Sequence, residues 1–114
     1  MQRTKAFALR VMKLVDSLPN TRAGQTIGNQ IIRSATSVGA NYRAAQRGRS
    51  KAEFIAKLGI CLEEIDECCY WLELIMDSDM LQQPKVKPLH TEAHELTAIF
   101  TAACKTAKQK PKVP

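Results

Sequence analysis

A chain of 114 residues with 45% apolar and 25% charged side chains is long enough for one domain with its own core, and too short for two. That balance excludes wholesale disorder, and an aromatic content of 5%, with Ala, Leu and Ile supplying the apolar surface, favours helices over sheets. The net charge of +6 is unevenly spread: residues 1–52 carry +9, residues 53–79 carry −7 and residues 80–114 carry +4.

The first predicted helix runs from Thr4 to Leu18, where Phe7, Val11, Leu14, Val15 and Leu18 follow one apolar face and Arg3, Arg10 and Lys13 lie off it. Pro19-Asn20 ends it. The second spans Arg22 to Gln46. Gly24, Gly28, Ile31, Ala35, Val38, Tyr42 and Ala45 alternate by four and three as a heptad seam. Glycine inside a helix costs about 1 kcal/mol against alanine, so Gly28 and Gly39 are expected to admit a neighbouring helix at close range. Asn41 borders the seam and must find a polar partner there.

Gly48-Arg49 makes a turn, and Ser50-Lys-Ala-Glu53 reads as a capping box opening the third helix, which continues to Met76. Phe54, Leu58, Cys61, Ile65, Cys68, Leu72 and Ile75 keep the heptad, and Ile55, Leu62, Cys69 and Met76 widen it towards a second neighbour. Glu63, Asp66, Glu67, Tyr70 and Glu73 face outward. Asp77 to Pro88, containing Pro84 and Pro88, reads as an irregular connection. The fourth helix covers Leu89 to Ala107, with Leu89, Ala93, Leu96, Ile99, Phe100, Ala103 and Ala107 on its apolar face.

Four amphipathic helices joined by short links are best buried as an antiparallel up-down four-helix bundle, an all-α domain over residues 1–107. Residues 108–114, basic and proline-bearing, read as a disordered tail. No stretch reaches the roughly 18 apolar residues of a membrane span, since Lys57 interrupts the most apolar one. The basic residues Arg3, Lys5, Arg10 and Lys13 stand where a signal peptide would carry its apolar run, so a cytoplasmic location and no membrane partner are expected.

Little in the chain points to catalysis. Ser, His and Cys do not assemble into a nucleophile–base pair, no glycine-rich phosphate loop precedes a helix, and Glu63, Glu64, Asp66 and Glu67 read as a solvated face. The chain reads as a non-enzyme. Cys61, Cys68, Cys69 and Cys104 sit inside helical patterns without a Cys-x-x-Cys pair, as small buried hydrophobes in a reducing compartment. His90 and His94 share a helix face, the first requirement of a helical metal site. They lack the zinc-protease order, no Glu-x-x-His occurs, and histidines near a helix start are ordinarily surface residues, so neither metal nor cofactor is expected.

The main functional candidate is the segment between Asp16 and Glu53, which contains no acid. Within it Arg33, Arg43, Arg47, Arg49 and Lys51 form a candidate nucleic-acid-binding surface, because cations on one face displace counterions from phosphates without reading sequence. The bland alternative is solvated helix surface, or neutralisation of the acidic third helix within a subunit or across an interface. Only Tyr70 and Trp71 offer accessible rings for base stacking, so sequence-selective recognition is not expected.

Arg33-Ser-Ala-Thr-Ser-Val-Gly-Ala-Asn-Tyr-Arg-Ala-Ala, followed by Ser50-Lys-Ala-Glu-Phe-Ile-Ala-Lys-Leu-Gly-Ile and Trp71-Leu-Glu-Leu, resembles the four-helix-bundle proteins related to the 23S rRNA-intervening-sequence proteins. The likeness is specific over helices two and three and loose over one and four. Arg33, Asn41 and Glu64 match polar positions typical of that family, while the acid usual three residues after the asparagine is Ala44 here. The resemblance implies an up-down bundle assembling into a homopentamer with a basic surface and no enzymatic activity. It also implies a nucleic acid as partner, RNA above all, or a protein partner such as the reverse transcriptase that one relative accompanies as an accessory module.

Overall fold

The computed structural model describes residues 2–109 as four helices: α1 (Gln2–Asp16), α2 (Arg22–Gln46), α3 (Lys51–Asp77) and α4 (Gln83–Lys108). No strand occurs among the described residues. Each helix packs on its neighbour in sequence, and α4 closes back on α1. Contacts between neighbours run in opposite order along the two partners. Arg33 meets Glu64 and Glu67 while Val38 meets Cys61, and Glu73 meets His90 while Lys51 meets Gln109. This is the antiparallel arrangement expected from short links between long helices.

The core takes one stripe from every helix. Phe7 and Val11 of α1, Ile31, Ala35 and Val38 of α2, six α3 side chains from Leu58 to Ile75, and Val86, Ala93, Leu96 and Phe100 of α4 are fully buried. Each large apolar side chain so buried contributes about 1.5–3 kcal/mol. Tyr42 reaches across from α2 to Phe100, ring centroids 5.6 Å apart. All four cysteines are free and buried, as their helical setting suggests. The Cys61 thiol points at the Val38 carbonyl at 3.6 Å, and burial pushes Cys61 and Cys69 up to about 11 and Cys68 higher still.

The helix ends follow local chemistry. Thr21 caps α2 by accepting from the Gly24 N–H at 3.1 Å. Ser50 caps α3 by accepting from the Glu53 N–H at 3.1 Å, as the capping box requires. The Glu53 carboxylate reaches one residue further back than the motif, to the Arg49 N–H at 2.6 Å. α3 ends at Ser78, and Asp79 takes a left-handed φ of 59° that lets the Met80 N–H bond the Ile75 carbonyl at 3.2 Å.

Two boundaries differ from the sequence reading. α1 stops at Asp16, and Ser17 and Leu18 continue only as a tighter turn bonded to Leu14 and Val15. α4 begins at Gln83, so much of the expected irregular connection is helical. Pro84 falls in the first turn, where its missing N–H has no intrahelical partner to lose. Pro88 lies deeper and forgoes one bond, which the burial of Val86 and Leu89 offsets. At the other end Lys108 completes α4 and Gln109 caps it, while residues 110–114 of the expected tail lie outside the described residues.

Candidate nucleic-acid interface

The sequence candidates divide into two groups. Arg33 sits mid-helix, with Nη1 3.1 Å from Glu64 and Nη2 2.7 Å from Glu67. The Glu67 carboxylate also accepts from the buried Ser34 hydroxyl at 3.2 Å. Two family-typical residues, Arg33 and Glu64, are therefore partners across the α2–α3 interface. Half of the Arg33 side chain remains exposed (53%), against 12% for Glu64, but two carboxylates neutralise its local field. Asn41, the third such position, finds its partner within its own helix, donating to the carbonyl and hydroxyl oxygens of Ser37 at 2.9 Å.

Arg43, Arg47, Arg49 and Lys51 form the second group, at the end of the bundle where α2 stops and α3 starts. All four are exposed, and among the described residues none has a carboxylate at ion-pair distance. Antiparallel packing brings the last turn of α4 to this end: Lys51 Nζ donates to the Gln109 carbonyl at 3.2 Å. Lys105 and Lys108 thereby join the group, lining with Leu62 and Thr101 a surface groove of about 470 Å³. The first turns of α1 arrive at the same end, and Lys5 and Arg43 line a second groove of about 610 Å³ with Gln2, Thr36 and Gln46. Glu53, already engaged by the Arg49 N–H, is the acid of α3's first turn. Lys5, Lys105 and Lys108 were not singled out in the sequence, because nothing local joins them to the α2–α3 turn. Their helical direction would have placed them.

The remaining charges act elsewhere. Arg3 ties α1 to α4 through Nε to Glu92 at 3.0 Å, Nη2 to Glu92 at 2.6 Å and Nη2 to Glu95 at 2.9 Å. Hydrogen bonds from Arg3 hold the Glu92 carboxyl below its usual range, and those bonds raise the guanidinium in turn. The expected aromatic pair is only half available. Tyr70 is 54% exposed, whereas Trp71 packs against the core with its Nε1 buried. The two rings meet edge-on at 5.2 Å, and Tyr70 stands among the acids of α3, where a phosphate is repelled.

The described helices include none long and apolar enough to cross a membrane. A comparison with curated proteins finds no match. Among solved structures, the fold matches a protein of unknown function from the S23 ribosomal protein family of Bacteroides thetaiotaomicron VPI-5482. The TM-score is 0.85 and the identity 33%, over 91% of this chain and 96% of that one. The family model of the 23S rRNA-intervening sequence proteins matches residues 1–102, well over half of the chain, and the protein belongs to that family.

Proposed function

We propose that this protein is a non-enzymatic, self-assembling helical bundle that binds nucleic acid, RNA in the first instance, through its basic end and without strong sequence specificity. One observation carries the reading: Arg43, Arg47, Arg49, Lys51, Lys105 and Lys108 gather at one end of the bundle, unpaired with carboxylates. Cations so placed attract a phosphate backbone by counterion release. Among the described residues, the one ring lining the two grooves at this end, Tyr42, is half-buried, which favours phosphate contacts over base reading. Arg33 contributes to the bundle and not to the RNA surface in this reading.

Titration of labelled single-stranded RNA at several salt concentrations tests it. The expected log–log slope is about −0.7 per phosphate contact, so four contacts give a slope near −3. Reversing Arg43, Arg47 and Arg49 to Glu together abolishes binding, while Arg33→Glu lowers thermal stability first. The proposal is lost if no RNA binds at low salt, or if the triple reversal binds as tightly as the parent.

Self-assembly, with the pentamer as the expected form, is supported by large apolar side chains left exposed on the single chain: Leu9 and Met12 on α1, Ile60 and Tyr70 on α3. Light scattering across micromolar concentrations checks it, and a monomer throughout removes the ring. The same exposed pair on α1 favours a second reading, an accessory module docking a larger enzyme such as a reverse transcriptase. A stoichiometric protein partner that survives nuclease treatment, lost in Leu9→Glu, distinguishes it. Four unpaired thiols support a reducing compartment such as the cytoplasm for either role.

A further inference from the structure

His90 and His94 stand one turn apart on α4, and the antiparallel fold sets Glu73 of α3 against them. His90 Nε2 lies 3.0 Å from Glu73 Oε2, and the two imidazole rings meet edge-on with centroids 4.5 Å apart. One donor atom from each of the three residues falls within 4.8 Å of the others. We propose that Glu73, His90 and His94 form a binding site for a divalent transition-metal ion of the zinc class, separate from the basic end.

Two imidazoles and one carboxylate suit a borderline-soft cation such as zinc, and suit magnesium or calcium poorly, since those take oxygen donors. A tetrahedral ion with bonds of about 2.0 Å holds its donors about 3.3 Å apart. The His90–Glu73 separation is already near that value. Closing the widest separation requires about 1.5 Å of movement. Glu73 and His94 are exposed, so side-chain rotation supplies it without moving either helix. Asp77, one turn beyond Glu73 on α3, adds negative charge on the same helix face. The fourth coordination position faces solvent and accepts water.

The competing account is that Glu73 and His90 simply pair across the interface, with His94 a bystander. The two accounts separate at His94, which takes no part in the His90–Glu73 hydrogen bond. Untagged, metal-free full-length protein is titrated with zinc chloride by calorimetry at pH 7.5, and with cobalt chloride followed by its visible absorption. The expected result is one ion per chain, a four-coordinate cobalt spectrum and a raised Tm with zinc. His94→Ala and Glu73→Gln each weaken binding by more than about a hundredfold, beyond the roughly 10–100-fold that loss of an outer partner of a ligand ordinarily causes. His94→Ala keeps the parent's helical content, which removes misfolding as an explanation. No binding at millimolar zinc, or equal binding by the parent and His94→Ala, overturns the proposal.

Discussion

Replacing each of three helical glycines by alanine is the sharpest test of how these helices approach one another. In a helix interior alanine is favoured over glycine by about 1 kcal/mol, so substitution at Gly28 or Gly39 starts with that gain, substitution at Gly24 in the first turn with less, and the rest depends on what the new Cβ meets. At Gly39 the nearest atom is the Thr4 carbonyl oxygen at 3.8 Å, an ordinary contact. Gly39 was expected to admit a close neighbour, yet the space beside it accommodates a methyl group. Gly39→Ala should therefore stabilise the chain by about 0.5–1 kcal/mol, raising Tm by about 2–6 °C. At Gly28 a Cβ would press on Val15 Cγ1 at 3.1 Å and Leu18 Cδ1 at 3.4 Å, so the close approach expected there is real. Val15 is stiff at χ1, and its displacement should cancel the helical gain and leave stability near the parent value. At Gly24 the new atom collides with the Pro19 carbonyl, which is backbone and cannot rotate away, and lies 3.2 Å from the capping Thr21 hydroxyl. Crowding of this kind costs about 1–3 kcal/mol, and disturbance of the cap adds about 1, so Gly24→Ala should be a net loss of about 2. Thermal and urea unfolding followed by circular dichroism, at one protein concentration because assembly shifts Tm, gives the order Gly39→Ala, Gly28→Ala, Gly24→Ala. A loss at Gly39 as large as that at Gly24 would falsify the helix–helix spacing described above.

Two further outcomes follow from buried and paired groups. The three α3 thiols should resist a disulfide reagent, because Cys61 and Cys69, pushed up to about 11, are buried and only about one part in a thousand thiolate at pH 8, with Cys68 raised further. Four equivalents should react promptly in denaturant, and fast reaction of more than one thiol per native chain would contradict the packing of α3, since Cys104 lines the α4 groove. Glu92 is held below its unfolded value of 4.5, so the stability it contributes is complete above that pH and is lost as pH falls through the folded value. Glu92→Gln should lower Tm at neutral pH and flatten the acid side of the Tm–pH profile. The two curves should converge in strong acid, and parallel curves would show that the Arg3 bond does not bias protonation.

The heptads of α2 and α3 were legible because burial alone sets their period, and all but Tyr42 and Phe54 on those seams are buried. The start of α4 was not, because proline was read as a breaker when its position in the first turn makes it a permitted opener. Charge was read correctly helix by helix but not surface by surface. Arg33 belongs to the basic helix and still spends its charge on acids of α3, about thirty residues later in the chain. Arg3 and Glu92 are 89 residues apart, and only the closing of α1 on α4 brings them together. The candidate metal site was half visible for the same reason: the histidine spacing lies within one helix, and the carboxylate comes from another.

The placement of the unpaired cations argues against a purely stabilising role. A positive side chain in the last turn of a helix complements the partial negative charge there by about 0.3–1 kcal/mol, which accounts for Arg43 on α2 and for Lys105 and Lys108 on α4. It accounts for Lys51 as well, which donates to the Gln109 carbonyl at the end of α4, but it does not account for Arg49. Arg49 precedes the cap of α3 and stands at the positive end of that helix, where an anion is favoured and a cation is opposed. Glu53 offsets part of this repulsion and is itself held by the backbone. If folding were the sole demand on this position, an acid would serve it better. An arriving phosphate relieves both the dipole and the side-chain repulsion at once, so Arg49→Glu should raise the stability of the free protein by a few tenths of a kcal/mol while weakening the proposed RNA binding. A variant that loses both stability and binding would instead assign this cation to the scaffold.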